Sequence, residues 1–164
     1  MRTTTRAAHV LWAALLVAAG CRDAANLTRP TASTAPRSIT PKLLVLGDTG
    51  GTALVTVALE VSGNVGRLGS FTGRLHFDQA SLDYSGEVAI GDGTTRVSNR
   101  VGDVVRVAGI STSGLNPARL ATFRFTVLDK AALTTLRFDL EEVHEVSATN
   151  LLSLVRAPSL GRVP

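Results

Sequence analysis

Four places in this 164-residue chain carry residues of types that do chemistry: Cys21, Asp48-Thr49-Gly50, His76, and Glu142 with His144 and Glu145. An aspartate in an Asp-Thr-Gly turn serves hydrolysis when two of them share one proton. Asp48 would need its partner from a second copy, and Gly47 separates it from the apolar run "LLVL" before it. A general-base histidine needs a nucleophile on one ring nitrogen and an orienting carboxylate on the other, and His76 has no such Ser or Asp at a useful spacing. Glu142 and His144 lie two apart, on one face of a strand, but two ligands fall short of the three or four that zinc requires. No glycine-rich loop sits between a strand and a helix to cradle phosphate. The residues therefore point away from an enzyme and call for no cofactor or metal.

Cys21 is the only cysteine, so no disulfide forms within the chain. It closes the stretch "LVAAGC", residues 16–21, and upstream lie Arg2 and Arg6 and then apolar residues from Ala7 to Ala19 broken only by His9. A positive start, an apolar segment too short to span a bilayer as a mature helix, and small residues at its end are the layout of a secretory signal. Ala18-Ala19-Gly20-Cys21 resembles the bacterial lipobox, with Ala18 where leucine is commonest. The resemblance implies that Cys21 is acylated and becomes the new N-terminus, which removes the liability of a free thiol in an oxidising compartment and anchors the chain to the membrane. In lipoproteins the residue after the cysteine influences sorting, and Arg22 in place of aspartate points to the outer membrane or cell surface.

Removing Arg2 and Arg6 from the 17 basic residues leaves 15 against 13 acidic ones, a near-neutral mature chain. Nucleic-acid binding would need a clustered basic face, so no nucleic-acid partner is expected. From Arg22 to Pro41 the chain reads "RDAANLTRPTASTAPRSITP", without apolar periodicity, and is expected to be an extended, disordered tether. The expected organisation is a lipoprotein signal peptide over 1–20, the lipidated cysteine and tether over 21–41, one folded domain over 42–157 and a tail over 158–164.

The residues of the folded part must be positioned by strands. Val55, Val57, Leu59 and Val61 alternate with Thr56, Ala58 and Glu60; Phe71, Gly73, Leu75 and Phe77 with Thr72, Arg74 and His76; Ala121, Phe123, Phe125 and Val127 with Thr122, Arg124 and Thr126; Leu136, Phe138 and Leu140 with Arg137, Asp139 and Glu141. Period-two runs of this kind are half-buried strands, and several at short spacing without a helical stretch predict an all-β antiparallel sandwich or barrel. Turn residues tolerant of positive φ fall between the runs at 62–66, Asp92-Gly93, Val101-Gly102-Asp103 and Ser113-Gly114. Asp92-Gly93 is the strongest hairpin signal, joining "EVAIG" to "TTRVSN".

"GRLGSFTGRLHFDQASLDY", residues 66–84, resembles the third and fourth strands of the cohesin family, with Gln79 where the family usually has proline after the aspartate. "LATFRFTVL" at 120–128 and "GDTGGTALVTVALEV" at 47–61 are similar to further cohesin strands, so the likeness spans about Leu43 to Val155. It implies a cohesin-like jelly-roll β-sandwich and a non-catalytic module that binds a dockerin-like or other envelope protein, for assembly or adhesion at the cell envelope. The family's partner face corresponds to residues 70–77, 94–99, 103–109 and 134–142. By alternation it would present Thr72, Arg74 and His76 from the first segment, Arg96 and Ser98 from the second, Arg106 from the third, and Arg137 and Asp139 from the fourth. Four arginines on one face would suit acidic groups on a partner. The alternative is a carbohydrate-binding sandwich with a polysaccharide partner, but Trp12 lies in the leader and the phenylalanines fall on inward positions. Tyr84 is the aromatic left for stacking on a sugar.

Overall fold

The computed structural model describes residues 35–49 and 51–162, with side chains over 35–46 and 51–158. Among these residues the strands are β1 (Ser38–Thr49), β2 (Thr52–Ser62), β3 (Leu68–His76), β4 (Leu82–Glu87), β5 (Thr95–Val101), β6 (Val104–Ile110), β7 (Ala121–Val127), β8 (Arg137–Glu145) and β9 (Ser159–Arg162). The two remaining elements are single 3-10 turns, Lys130–Thr134 and Leu152–Leu154. One sheet has the order β4-β7-β2-β1-β9 and the other β5-β6-β3-β8. Every ladder is antiparallel except β1 with β9, which is parallel. The all-β class expected from the alternation, and the cohesin-like jelly-roll sandwich that the resemblance implies, are the observed architecture.

The inward sets come from that alternation. Val55, Val57 and Leu59 of β2 and Phe123 and Phe125 of β7 meet Phe71 and Leu75 of β3 and Phe138 of β8 in one core, all of them buried. Phe125 is central, with the Phe77 ring centroid 5.3 Å away and edge-on. Glycines leave room for these rings. A Cβ on Gly73 would stand 2.3 Å from the Phe138 ring, and one on Gly109 2.4 Å from the Phe71 ring. Each phenylalanine thus lies across a gap in the neighbouring strand.

In the middle of the five-stranded sheet the outward side of β2 is closed as well. Thr56 and Thr122 are buried, and their hydroxyls hydrogen-bond to each other at 2.9 Å. Removing one hydroxyl strands the other without a partner, so Thr56→Val is expected to cost about 1–2 kcal/mol, whereas Thr56→Val with Thr122→Val is expected to be nearly neutral. Urea denaturation of the three proteins checks this, and equal losses in the single and double variants would refute it.

The structure corrects two sequence expectations. The folded part extends past both expected boundaries: β1 begins at Ser38, with Ile39 fully buried, and residues 159–162 form β9 rather than a tail. Asp92-Gly93 does not close a hairpin. β4 pairs with β7 in one sheet and β5 with β6 in the other, so residues 88–94 cross between the sheets. A tight hairpin forms instead between β5 and β6, where Val101 pairs with Val104 and Gly102 adopts φ +62°. Both loops offer an Asp and a Gly, and pairing between distant strands decides which one reverses the chain within a sheet.

Candidate partner-binding face

The four segments singled out in the sequence lie in one sheet, β5-β6-β3-β8. Its ladders align residues into rows across the strands. Thr95, Ile110, Ser70 and His144 form one outward row, and Val97, Ala108, Thr72 and Glu142 the next. Then come Asn99, Arg106, Arg74 and Asp139, and last Val101, Val104, His76 and Arg137. Thr72, Arg74, His76, Arg106, Arg137 and Asp139 therefore share the outer face, as alternation predicts.

Arg96 and Ser98 do not. They fall in the inward rows, beside Gly109 and Val107, so their expected outward placement is corrected. The Arg96 side chain is only 6% exposed. Its two terminal nitrogens donate to the two Asp92 oxygens at 2.8 and 2.5 Å, and its Nε donates to the Leu120 carbonyl. The Ser98 and Tyr84 hydroxyls are 3.2 Å apart, joining β5 to β4 across the sandwich edge. The physical reason is the edge position of β5. Its inner side closes the rim of the core, where long polar side chains lay their stems on apolar surface and find polar partners.

Asp92 records that environment. Its hydrogen bonds from Arg96 hold the carboxyl well below the usual carboxylate range, aided by the Thr94 amide and opposed by burial. A carboxyl whose folded pKa is lowered contributes stability above its unfolded pKa and loses it as pH falls toward the folded value. The domain is expected to keep this contribution from neutral pH down to about pH 4 and lose it progressively below. Asp92→Asn should flatten that acid limb in chemical denaturation measured between pH 6 and 2, and an unchanged limb would contradict the assignment.

With Arg96 turned in, the outward residues of β5 are Thr95, Val97, Asn99 and Val101. Val97 is 66% exposed and Val101 58%, and Ile110 of β6 is also 58% exposed. Alternation in "TRVSNRV" marks two faces, and the expectation set the Arg96 and Ser98 side outward, so this apolar half of the face was missed. The β3–β8 half is charged and largely self-neutralised. Arg74 reaches Glu141 at 2.7 Å; Arg137 grips both Asp139 oxygens at 2.8 Å; His76 Nε2 lies 3.2 Å from the same carboxylate. A register shift in β8 opposite Thr72 and Gly73 leaves Glu141 as the extra residue, and such bulges re-aim side chains.

Between the two halves runs an open groove of about 500 Å³ lined by Thr72, Val97, Asn99, Arg106, Ala108 and Glu142. It continues into a second depression of about 260 Å³ over Ser70, Thr95 and Ile110. The floor is low because Ala108 and Thr72 are small. Such a surface binds by shape and charge. Among the described residues no cluster of three or more His, Cys, Asp or Glu is placed to hold a metal. Cys21 lies outside the described residues, and the Asp48 side chain is not described.

Tyr84 is not the free aromatic that sugar stacking would require. Its ring packs 5.7 Å from Phe125 and 6.1 Å from Phe123, and its hydroxyl meets Ser98. All five phenylalanines are in the core.

No protein-family model matches the sequence, and no curated protein matches it. Solved structures do match by shape. A non-cellulosomal cohesin from the hyperthermophilic archaeon Archaeoglobus fulgidus superposes with a TM-score of 0.56 at 15% identity, over 77% of this chain and 92% of that one. The sixth cohesin of scaffoldin B from Acetivibrio cellulolyticus, solved in complex with a mutant Cel5 dockerin, gives 0.53 at 15% identity over 77% and 99%. The seventh ScaB type I cohesin from Pseudobacteroides cellulosolvens gives 0.51 at 14% over 76% and 92%. The chain has the cohesin fold.

Proposed function

We propose that this chain is a non-catalytic binding module whose β5-β6-β3-β8 face receives a protein partner, a dockerin-like module or another envelope protein. One observation carries the reading: Val97 and Ile110 stand exposed together, with Val101 two rows further along the same outward side of β5, beside a charged lane on a sheet face that β-sandwiches of this size ordinarily cover with polar residues. An apolar centre rimmed by charge is the anatomy of a protein interface. Fold alone does not establish function; the dockerin held by the Acetivibrio cellulolyticus cohesin supports a partner of that kind. The half-buried, hydrogen-bonded Tyr84 and the buried phenylalanines weigh against a polysaccharide platform.

The test is a pull-down from the native envelope with the full chain and with a Val97→Asp, Ile110→Asp variant as bait. A protein captured by the parent and reduced at least about tenfold by the variant is expected, since interface cores tolerate buried charge poorly. Capture that ignores both substitutions, or binding to a polysaccharide panel with no protein retained, would refute the reading.

Export and anchoring belong to the same proposal. Residues 1–20 direct secretion, Cys21 carries the lipid, and the Pro- and Thr-rich residues before Ser38 space the sandwich from an outer-membrane or cell-surface attachment. Cys21→Ser is expected to move the protein from the membrane fraction to the soluble exported fraction, and continued membrane retention would overturn the anchor.

A further inference from the structure

The sequence offers four arginines to this face, and the structure leaves one available. Arg96 is turned inward onto Asp92, Arg74 is matched by Glu141, and Arg137 by Asp139. Arg106 is exposed and, among the described residues, makes no ion pair or hydrogen bond. It also sits directly across the ladder from Arg74, and like charges facing each other across strands destabilise a sheet. The β8 bulge brings a carboxylate to Arg74 and none to Arg106.

The surroundings of Arg106 are apolar along its own strand and on the β5 diagonals, and polar at Asn99 and Arg74 on either side. Along β6 its outward neighbours are Val104 and Ala108; across the β5 ladder it faces Asn99, with Val97 and Val101 on the diagonals. A partner that covers these apolar side chains would enclose the cation among them, the arrangement of a binding hot spot, where arginine is enriched. The remaining unpaired charge in these rows is Glu142, two strands away and so roughly 10 Å across the sheet. At that distance it does not neutralise Arg106, and it repels a second acid at the other end of the groove.

We infer that Arg106 is the specificity-determining anchor of this face and takes a carboxylate from an acidic side chain of the protein partner. The inference rests on the proposed receptor role of the face. The carboxylate pairs with the guanidinium fork, and the partner's apolar residues around it cover Val97, Val101, Val104 and Ala108. Docking removes the pair from water and gives Arg106 the counter-charge that the fold withholds. A partner presenting lysine or arginine there meets Arg106 and Arg74 together and is rejected.

The experiment is selection of a phage-displayed two-helix scaffold, randomised over one face, on the full chain. Clones are then measured against the parent, Arg106→Ala, Arg106→Glu and Val97→Asp, after thermal melts show that each variant is folded. Clones that lose binding with Val97→Asp are expected to be rich in Asp or Glu, to weaken about thirty-fold or more with Arg106→Ala, and to recover on Arg106→Glu when their acid is changed to Lys. Clones that need Val97 yet ignore Arg106 would overturn the acidic anchor while leaving the face as receptor. Failure to obtain any clone that needs Val97 would overturn both.

Discussion

Arg96→Ala is expected to destabilise the domain by about 3 kcal/mol, a loss of the size seen when one partner of a buried ion pair is removed. The guanidinium is nearly enclosed and makes three hydrogen bonds, two to Asp92 and one to the Leu120 carbonyl. Truncation leaves the Asp92 side chain, only 18% exposed, without its counter-ion, and it removes the link that Arg96 makes between Asp92 and the Leu120 carbonyl. The loss stays below the top of the range for such pairs because Asp92 keeps some contact with water and the Thr94 amide. Asp92→Asn with Arg96→Met should recover much of the loss, because it removes the buried charge along with its partner. Guanidinium denaturation of the single and double variants checks this. A loss in Arg96→Ala no larger than the half kilocalorie or so of an exposed surface substitution would restore the outward placement of Arg96. Partner binding supplies a second readout, since Arg96 lies behind the face and its loss should leave affinity unchanged in whatever fraction remains folded.

Gly73→Ala comes next, at about 2–3 kcal/mol, the cost of overpacking a filled core. The added Cβ would meet the Phe138 ring at 2.3 Å and the Asp139 carbonyl at 2.8 Å. The ring has nowhere to retreat, because Phe138 is fully buried, and the carbonyl belongs to the neighbouring strand. Gly109→Ala is expected to cost less, since the three atoms nearest its added Cβ all belong to the Phe71 ring and a ring yields more readily than a backbone ladder. Gly91→Ala is the control: nothing lies within 4 Å of its added carbon, and the change should be within about 0.5 kcal/mol of the parent. Thermal melts of the three variants rank them. A Gly73→Ala protein as stable as Gly91→Ala would show that the ring is not locked over the glycine.

Alternation in the sequence is a reliable guide wherever one side of a strand is apolar and the other polar. It places Phe71 and Leu75 of β3, Phe123 and Phe125 of β7, and Phe138 of β8 inside, as found, because β3 and β7 lie within the body of their sheets and β8, although an edge strand, still buries its apolar side in the core. The same reasoning identifies Thr72, Arg74, His76, Arg106, Arg137 and Asp139 as outward. It fails on β5, where Arg96 and Ser98 alternate with Val97 and Asn99. At a sandwich rim, valines face water and an arginine turns inward, since there the inner side ends against loops that supply carbonyl and carboxylate partners.

The sequence by itself determined the all-β class, the strands and their inward phenylalanines, because a period of two and the hydrophobic effect act on each strand separately. Only the tertiary structure decided that Asp92-Gly93 crosses between sheets, that residues 159–162 pair with β1, which face of β5 is outside, and which of four arginines keeps its charge unmatched. Those outcomes depend on partners distant in the chain: Leu120 for Arg96, the bulged Glu141 for Arg74, Phe123 and Phe125 for Tyr84. No local pattern encodes a contact whose other half arrives from another strand, and the unpaired charge of Arg106 is what remains after all those pairings are made.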